Sequence, residues 1–498
     1  MKQMHWLIGS LIACFAMSAA AQQTTSDETP WTWDDGMIVT QTPERPEGQH
    51  SVIGLTAAPM EVVRVGFVGL GMRGPEAVSR FTHIPGTRIV ALCDHEASRA
   101  EACQKLLEKA SLPPAALYSG EKGYEALCQR TDIDLVYIAA DWLHHFPVAI
   151  CAMQHGKHVA IEVPSAMNLR ECWALINMSE QTRRHCMILE NCCYDWFEMN
   201  TLNMAQQGLF GEVIRAQGAY IHDLSPYWDL YWKNGEGDKL GWRLDYNMRH
   251  RGDIYPTHGL GPVAQALDIH RGDCMQLLVA MDTKSAVGRQ LVSQRTDSVC
   301  NSFRNGDHTT TLIRTARGKV IEIQHDVMTP QPYNRLYQLT GTKGFANKYP
   351  TEGYALNAHT FMSEGAKDSL TAKYQHPILL KYGKTAKEVG GHGGMDFVMD
   401  SRLIYCLQNG LPLDMDVYDL AEWCCLAELG ALSMDHHCAP VAIPDFTRGE
   451  WDTVKGYRHA FATPEAEQAA QQKAEACTAK LKEEGAKAWQ KINRKAKK

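Results

Sequence analysis

The first half of the chain switches repeatedly between two apolar patterns. Val62 to Val68 (VVRVGFV) is a short β-branched run, the pattern of a strand buried on both faces of a parallel sheet. Similar runs recur at Arg88 to Cys93, Asp134 to Ala140, His158 to Glu162 and His185 to Glu190. Between them lie helical stretches at Gln104 to Lys109, Pro147 to His155 and Leu169 to Arg184. Asp141 to His145 reads as the loop after the third strand. This alternation predicts an α/β domain with a doubly wound parallel sheet. Ligands of such sheets bind at the carboxyl ends of strands. That rule gathers Trp142, His145, Glu162, Val163 and Asn191, with Leu143 and His144 between the first two.

After Asn191 the pattern changes. Gly211 to Tyr220 and Val320 to Asp326 read as strands. Between them runs a loop-rich stretch with Tyr227, Trp228, Tyr231, Trp232 and Trp242. Aromatic faces pack against the C–H face of a sugar ring, so this stretch is a candidate carbohydrate wall. More than half of these rings are expected to be ordinary packing residues. Tyr255-Pro256-Thr257-His258 opens a helix, which sets Tyr255 and His258 on one face. Lys473 to Lys498 reads as a basic, solvated surface helix.

Near its start the chain has Lys2, an apolar run from Trp6 to Ala19, and small residues through Ala21. This is the pattern of a secretory signal peptide cleaved after Ala21, too short for a membrane span. Leu11-Ile12-Ala13-Cys14 also resembles a lipobox, but the chain stays apolar after Cys14. The expected location is periplasmic or extracellular. Residues 22–58 are polar and carry Pro30, Pro43 and Pro46, which reads as a linker or surface strap outside the core. The remaining divisions are residues 59–191, residues 192–450 and a tail at 451–498. A net charge of -7 gives no footprint for nucleic acid. The 16 cysteines show no paired CxxC spacing, so no metal site is expected and most read as small buried hydrophobes.

Gly69-Leu70-Gly71-Met72-Arg73-Gly74 follows the first strand directly. In that context GxGxxG is a dinucleotide-binding turn, with the pyrophosphate at the N-terminus of the next helix. Asp94 stands twenty residues past Gly74, where an acid binds a ribose 2′-OH and selects NAD over NADP. The first domain is therefore read as a Rossmann domain holding NAD.

Together with these features, Glu162-Val163-Pro164 at a strand end resembles the Gfo/Idh/MocA oxidoreductase superfamily. That resemblance implies a second, α+β domain on a large, open, mostly antiparallel sheet. Open sheets of this kind often pack face to face, which points toward a homo-oligomer. Four longer motifs resemble glycoside hydrolase family 109. They are Glu162-Val163-Pro164, His185 to Cys192, Tyr255 to Ala264, and Gly391-His392-Gly393-Gly394-Met395-Asp396. The resemblance spans Val62 to Phe446. It implies an NAD-dependent α-N-acetylgalactosaminidase acting on a glycan. It also implies Tyr220, Arg243, Tyr255, His258 and Tyr333 as sugar contacts, with Tyr337 close by. Tyr255 is shared with the cofactor site, and Tyr220, Tyr255 and His258 are the catalytic candidates.

Dehydrogenases of the superfamily usually carry Lys where this chain has Val163, and many carry Asp where it has Ile254. General acid–base help is worth about 10² to 10⁴ in rate, so a dehydrogenase without both groups would be slow. An exported protein also has no soluble NAD pool. Both points favour a redox-neutral glycosidase that oxidises C3, eliminates at C1 and C2, adds water, and reduces C3 with retention. The alternatives are an exported sugar oxidoreductase with tightly held NAD and a non-catalytic sugar-binding protein.

Overall fold

The computed structural model describes residues 29–227, 241–293 and 303–496. The leader at residues 1–21 and Trp228, Tyr231 and Trp232 lie outside the described residues. Strands are numbered in chain order: β1 (Trp31–Asp34), β2 (Met37–Thr40), β3 (Val63–Val68), β4 (Thr87–Asp94), β5 (Ala116–Ser119) and β6 (Leu135–Ile138). Next come β7 (His158–Ile161), β8 (Cys186–Ile188), β9 (Val213–Ile221), β10 (Met275–Asp282), β11 (Thr309–Thr315) and β12 (Val320–Asp326). The last four are β13 (Gln338–Gly341), β14 (Gly344–Asn347), β15 (Gly353–Leu356) and β16 (Val441–Ala442).

The first sheet has the order β5-β4-β3-β6-β7-β8 and every pairing in it is parallel. Its order reverses between β3 and β6, the switch point at which such sheets bind dinucleotides. The expected doubly wound domain is therefore present. One local reading is corrected. Asp141 to His145 is not a loop, because Asp141 caps the helix Trp142–Gln154 and accepts the Leu143 N–H at 3.0 Å. Trp142 to His145 thus form a first helical turn, which aims them at the carboxyl end of the sheet.

The second sheet has ten strands in the order β1-β2-β16-β10-β11-β12-β9-β13-β14-β15. Only β9–β12 and β2–β16 pair in parallel. The segment expected to be a strap outside the core supplies its first two strands. The alternating run around Asp35-Gly36 makes a hairpin, with positive φ at both turn residues, and Ile38 is fully buried. The C-terminal tail departs from expectation too. Its helix runs Pro464–Ala496, and Ala474 and Leu481 are buried. Trp489 Nε1 donates to Leu112 O at 2.7 Å, so one stripe of the helix docks on the Rossmann domain. All fourteen cysteines among the described residues are free, and eleven are buried.

Two contacts bring the domains together at the site. The buried helix Met395–Asn409 lies against the Rossmann domain, where Arg80 Nε donates to Asp400 Oδ2 at 2.7 Å. The helix Thr257–Ala266 crosses β9 at close range. A Cβ on Gly218 would sit 2.0 Å from Gly259 O, so only glycine permits that approach. It sets Tyr220, two residues along β9, beside His258.

Candidate active site

The GLGMRG turn has the three properties that a pyrophosphate cradle needs. Gly69 has φ +88°, and a Cβ there would meet Ala140 N at 2.3 Å. A Cβ on Gly74 would lie 2.0 Å from Gly69 O. Gly71 instead meets only Arg99 Nη1, at 3.8 Å, and leaves its face open to a ligand. The helix Arg73–Phe81 begins here without a side-chain cap, so its first N–H groups are available to phosphate oxygens. Asp94 ends β4 beside the turn. Its Oδ2 accepts the Leu70 N–H at 2.6 Å and its Oδ1 accepts the Glu96 N–H at 2.9 Å. The carboxylate is fixed at the ribose end. Exposed Met72 and Leu143 flank the cradle. These residues fit NAD.

At the nicotinamide end several side chains are committed to one another. Arg73 turns inward, with Nη2 3.0 Å from Asp396 Oδ2 and 3.3 Å from Glu162 Oε1. Asn191 Nδ2 donates to Asp396 Oδ1 at 2.6 Å. Val163 is buried next to Glu162. His144 faces solvent and pairs with Asp141 at 2.7 Å. His145 is buried between two carbonyls, Pro164 O at 2.8 Å and Ala140 O at 3.0 Å. Burial lowers its pKa, so the ring is neutral and donates to only one of them. Its side chain braces two strand ends.

The sugar-facing residues named from the sequence come together. Tyr220, Tyr255 and His258 have ring centroids 4.8, 5.2 and 5.0 Å apart, taken pairwise. Tyr255 stacks on Trp142 at 5.6 Å, which links the sugar side to the cofactor side. The Arg243 guanidinium lies 5.2 Å from the Tyr255 centroid and 5.1 Å from that of Trp142. Trp242 and Tyr246 pack behind Trp142. Of the two nearby tyrosines, Tyr333 is partly exposed, 5.0 Å from His222. Tyr337 is buried, its hydroxyl on Glu198 O, and so is a core residue.

Electrostatics sorts the roles. Burial, reinforced by Tyr220, pushes the Tyr255 phenol well above its ordinary value despite Arg243. The shift holds Tyr255 as a neutral phenol beside Trp142. Tyr220 is different, since its hydroxyl lies 3.0 Å from His222 Nδ1. Burial, Arg243 and His258 all lower the His222 pKa, so His222 is a neutral acceptor at pH 7. His258 Nδ1 lies 2.6 Å from Glu190 Oε1. Burial opposes charge on Glu190, but His258 and the Cys192 N–H bring its carboxyl below the usual value. A carboxylate on Nδ1 fixes the tautomer and leaves Nε2 for substrate.

Sequence reasoning missed His222, Glu190, Asp396 and Asp253 as site residues. His222 is two residues past Tyr220, just beyond the end of β9, and its contacts with Tyr220 and Tyr333 reveal it. Glu190 and Asp396 were inside quoted motifs. Asp253 accepts the Tyr255 N–H at 3.1 Å, and burial pushes it up to about 7. Ligand atoms of Glu190, Cys192 and His258 fall within 4.8 Å of one another, a geometry open to a metal ion. Arg335 Nη1, however, donates to Cys192 Sγ at 2.6 Å, and burial pushes that thiol up. A guanidinium beside a neutral thiol disfavours a cation, so the cluster is read as a hydrogen-bonded relay.

Comparison with known proteins agrees with this geometry. Residues 63–189 match the oxidoreductase family with an NAD-binding Rossmann fold, and residues 194–453 match the glycosyl hydrolase 109 C-terminal domain. The scyllo-inositol dehydrogenase of Lactobacillus casei, solved with NAD(H) and scyllo-inositol, shares the fold. Its TM-score is 0.54 at 13% identity, over 76% of this chain and 99% of that one. Glycosyl hydrolase family 109 protein 1 of Bacteroides fragilis is 58% identical over 91% of this chain and 97% of its own. Glycosyl hydrolase family 109 protein 5 of Phocaeicola vulgatus is 73% identical over 98% of this chain and 97% of its own. The chain belongs to glycosyl hydrolase family 109, and it is a glycosidase built on an NAD-binding oxidoreductase fold.

Proposed function

We propose that this is an exported enzyme that removes terminal α-linked N-acetylgalactosamine from a glycan by a redox-neutral route with retention. NAD, which the GLGMRG cradle and Asp94 would hold, would supply reversible hydride transfer at C3 of the sugar, so that each cycle would leave it unchanged. The protein supplies the proton transfers. His258, braced by Glu190, takes the C3 hydroxyl proton as hydride leaves. The C3 ketone acidifies the C2 proton, and Tyr220 removes it while passing its own hydroxyl proton to His222. The electron pair from C2 expels the leaving group at C1. Water then adds at C1, C2 is reprotonated, and the C3 carbonyl is reduced.

The observation that carries this reading is a contrast. Val163 and Ile254 are buried and apolar where superfamily dehydrogenases place acid–base groups. Yet two separate relays, Tyr220–His222 and His258–Glu190, remain beside the sugar-facing wall. One relay suffices for alcohol oxidation, and the second serves a C2 proton. Hydrolysis of 4-nitrophenyl α-N-acetylgalactosaminide in D₂O tests this. Deuterium is expected at C2 of the released sugar, because every turnover breaks that C–H bond. Full retention of protium at C2, with rates that fall steeply as the leaving group worsens, would point instead to displacement by a carboxylate pair.

A further inference from the structure

The aromatic wall of the site does not end at the buried pair Tyr220 and Tyr255. It continues ring by ring toward solvent. The His222 ring lies 5.6 Å from that of Tyr220, and the Tyr333 ring lies 5.0 Å from His222. Tyr349 follows, 6.2 Å from Tyr333, and Tyr227 stands 6.4 Å from His222. Exposure grows along this path. Tyr220 is 7% exposed, whereas Tyr333 is 41% and Tyr227 46% exposed, with Tyr349 half-buried beside Tyr333. A single exposed ring is ordinary, but a run of them leading out of a site marks a binding surface.

Tyr333 and Tyr349 make a corner. Their planes meet at 79°, so the two rings do not fill the space by stacking on each other. Both are held by backbone tied to the sheet. Asn334, next to Tyr333, exchanges two hydrogen bonds of 2.9 Å with Ile221 at the end of β9. Tyr349 N donates to Leu336 O at 3.2 Å, and Lys348 N donates to Tyr337 O at 3.1 Å. Lys348 Nζ reaches inward to Asp195 Oδ2 at 2.7 Å and Glu198 Oε2 at 2.6 Å. Those contacts pin the segment that carries Tyr349. They also commit the lysine charge, 5.5 Å from the Tyr349 centroid, to two carboxylates. The corner is therefore preorganised, and a ligand pays little to order it.

These features select the ligand. The inner wall takes the terminal sugar, and the rest of the substrate must leave through the mouth, past the exposed rings. An aromatic corner whose neighbouring charge is already neutralised favours the C–H face of a pyranose over a sulfated or phosphorylated group. Serine or threonine in that place would offer no ring face to stack.

We propose that the Tyr333–Tyr349 corner is a subsite for the second sugar of the glycan, the one that departs when the terminal sugar is released. The assignment rests on the glycosidase reading above. It makes Tyr349 a specificity residue that selects a pyranose aglycone over a smaller one. The second sugar is held alike before and during reaction, so the subsite lowers KM and leaves kcat nearly unchanged.

The test uses full-length protein with its bound NAD, as wild type, Tyr349→Ala and Tyr349→Phe. Methyl α-N-acetylgalactosaminide, which has no second ring, is compared with a disaccharide carrying α-N-acetylgalactosamine on galactose. A serine-linked α-N-acetylgalactosamine is the third substrate, and released N-acetylgalactosamine is measured throughout. Tyr349→Ala should lose about five- to tenfold in kcat/KM on the disaccharide, through KM, the worth of one stacked aromatic face. On the methyl and serine glycosides it should change by less than about twofold. Tyr349→Phe keeps the face and should stay within about twofold of wild type on all three. Comparing variants with wild type on one substrate cancels differences between leaving groups. Equal losses in Tyr349→Ala on the methyl glycoside and the disaccharide, or no loss on either, would overturn the subsite. So would a loss in Tyr349→Phe as large as that in Tyr349→Ala. A loss on the serine glycoside matching that on the disaccharide would assign the corner to a peptide instead. In each of these cases wild-type hydrolysis still stands, so only the subsite falls. If wild type releases N-acetylgalactosamine from none of the three, the glycosidase reading falls and the subsite with it.

Discussion

Replacing Glu190 by Gln is the sharpest probe of the inner relay. Glu190 is fully buried, with Oε1 2.6 Å from His258 Nδ1 and 3.0 Å from the Cys192 N. Glutamine keeps the shape and still accepts one hydrogen bond, so packing is preserved. What it removes is the negative charge facing the imidazole. A hydrogen bond to a charged group is worth about 1.5 to 3 kcal/mol, against about 0.5 to 1.5 for a neutral one. The difference of roughly 1 to 2 kcal/mol applies when His258 holds the proton that the proposed oxidation of C3 would deliver to it. Turnover should therefore fall about 5- to 30-fold. The loss should appear in kcat, with KM, bound NAD and melting temperature near those of the wild type. Nitrophenol release at saturating substrate measures it, alongside NAD assayed after denaturation. Turnover within twofold of the wild type, with NAD intact, would refute the claim that Glu190 acts through His258.

Other outcomes follow from the cradle and the core. Asp94→Ala should purify with less NAD, because the ribose edge loses its fixed acceptor; the same denaturation assay reads it, and unchanged NAD content would remove Asp94 from the cofactor site. Gly74→Ala should lose NAD and melt at a lower temperature, since the added Cβ lies 2.0 Å from Gly69 O. Arg402→Met should destabilise the fold by about 3 to 5 kcal/mol in urea at neutral pH, because it leaves Asp414 buried and unpaired; Arg402 meets that carboxylate at 2.9 and 2.7 Å. Burial opposes ionisation of Asp414, yet Arg402 and His459 bring it down to about 2. Its pKa is depressed on folding, so its contribution is complete above the unfolded value of about 3.9 and is lost as pH falls toward 2. Urea midpoints at pH 6 and pH 3 should show that loss in the wild type and much less of it in Arg402→Met.

The local sequence carried most of the cofactor domain. Strand-length apolar runs, a glycine turn after the first, and an acid at the end of the second are short-range signals, and backbone sterics at Gly69 and Gly74 leave few other conformations. The sugar-facing residues were legible one at a time, through motifs, but their roles were not. Tyr220 and Tyr255 look alike in a sequence and are both buried, and only their contacts, His222 for Tyr220 and Trp142 for Tyr255, tell them apart. Glu190 was missed for the same reason, since its partner His258 lies 68 residues along the chain. The hairpin around Asp35-Gly36 had its own turn signal, masked by the prolines that follow. What tertiary structure alone decided is the meeting of β8, β9, the helix from Thr257 and the Gly390–Gly394 loop. These segments are separated by tens to hundreds of residues, and electrostatics and proton transfer act only over a few ångströms, so the chemistry exists only once the fold has brought them together.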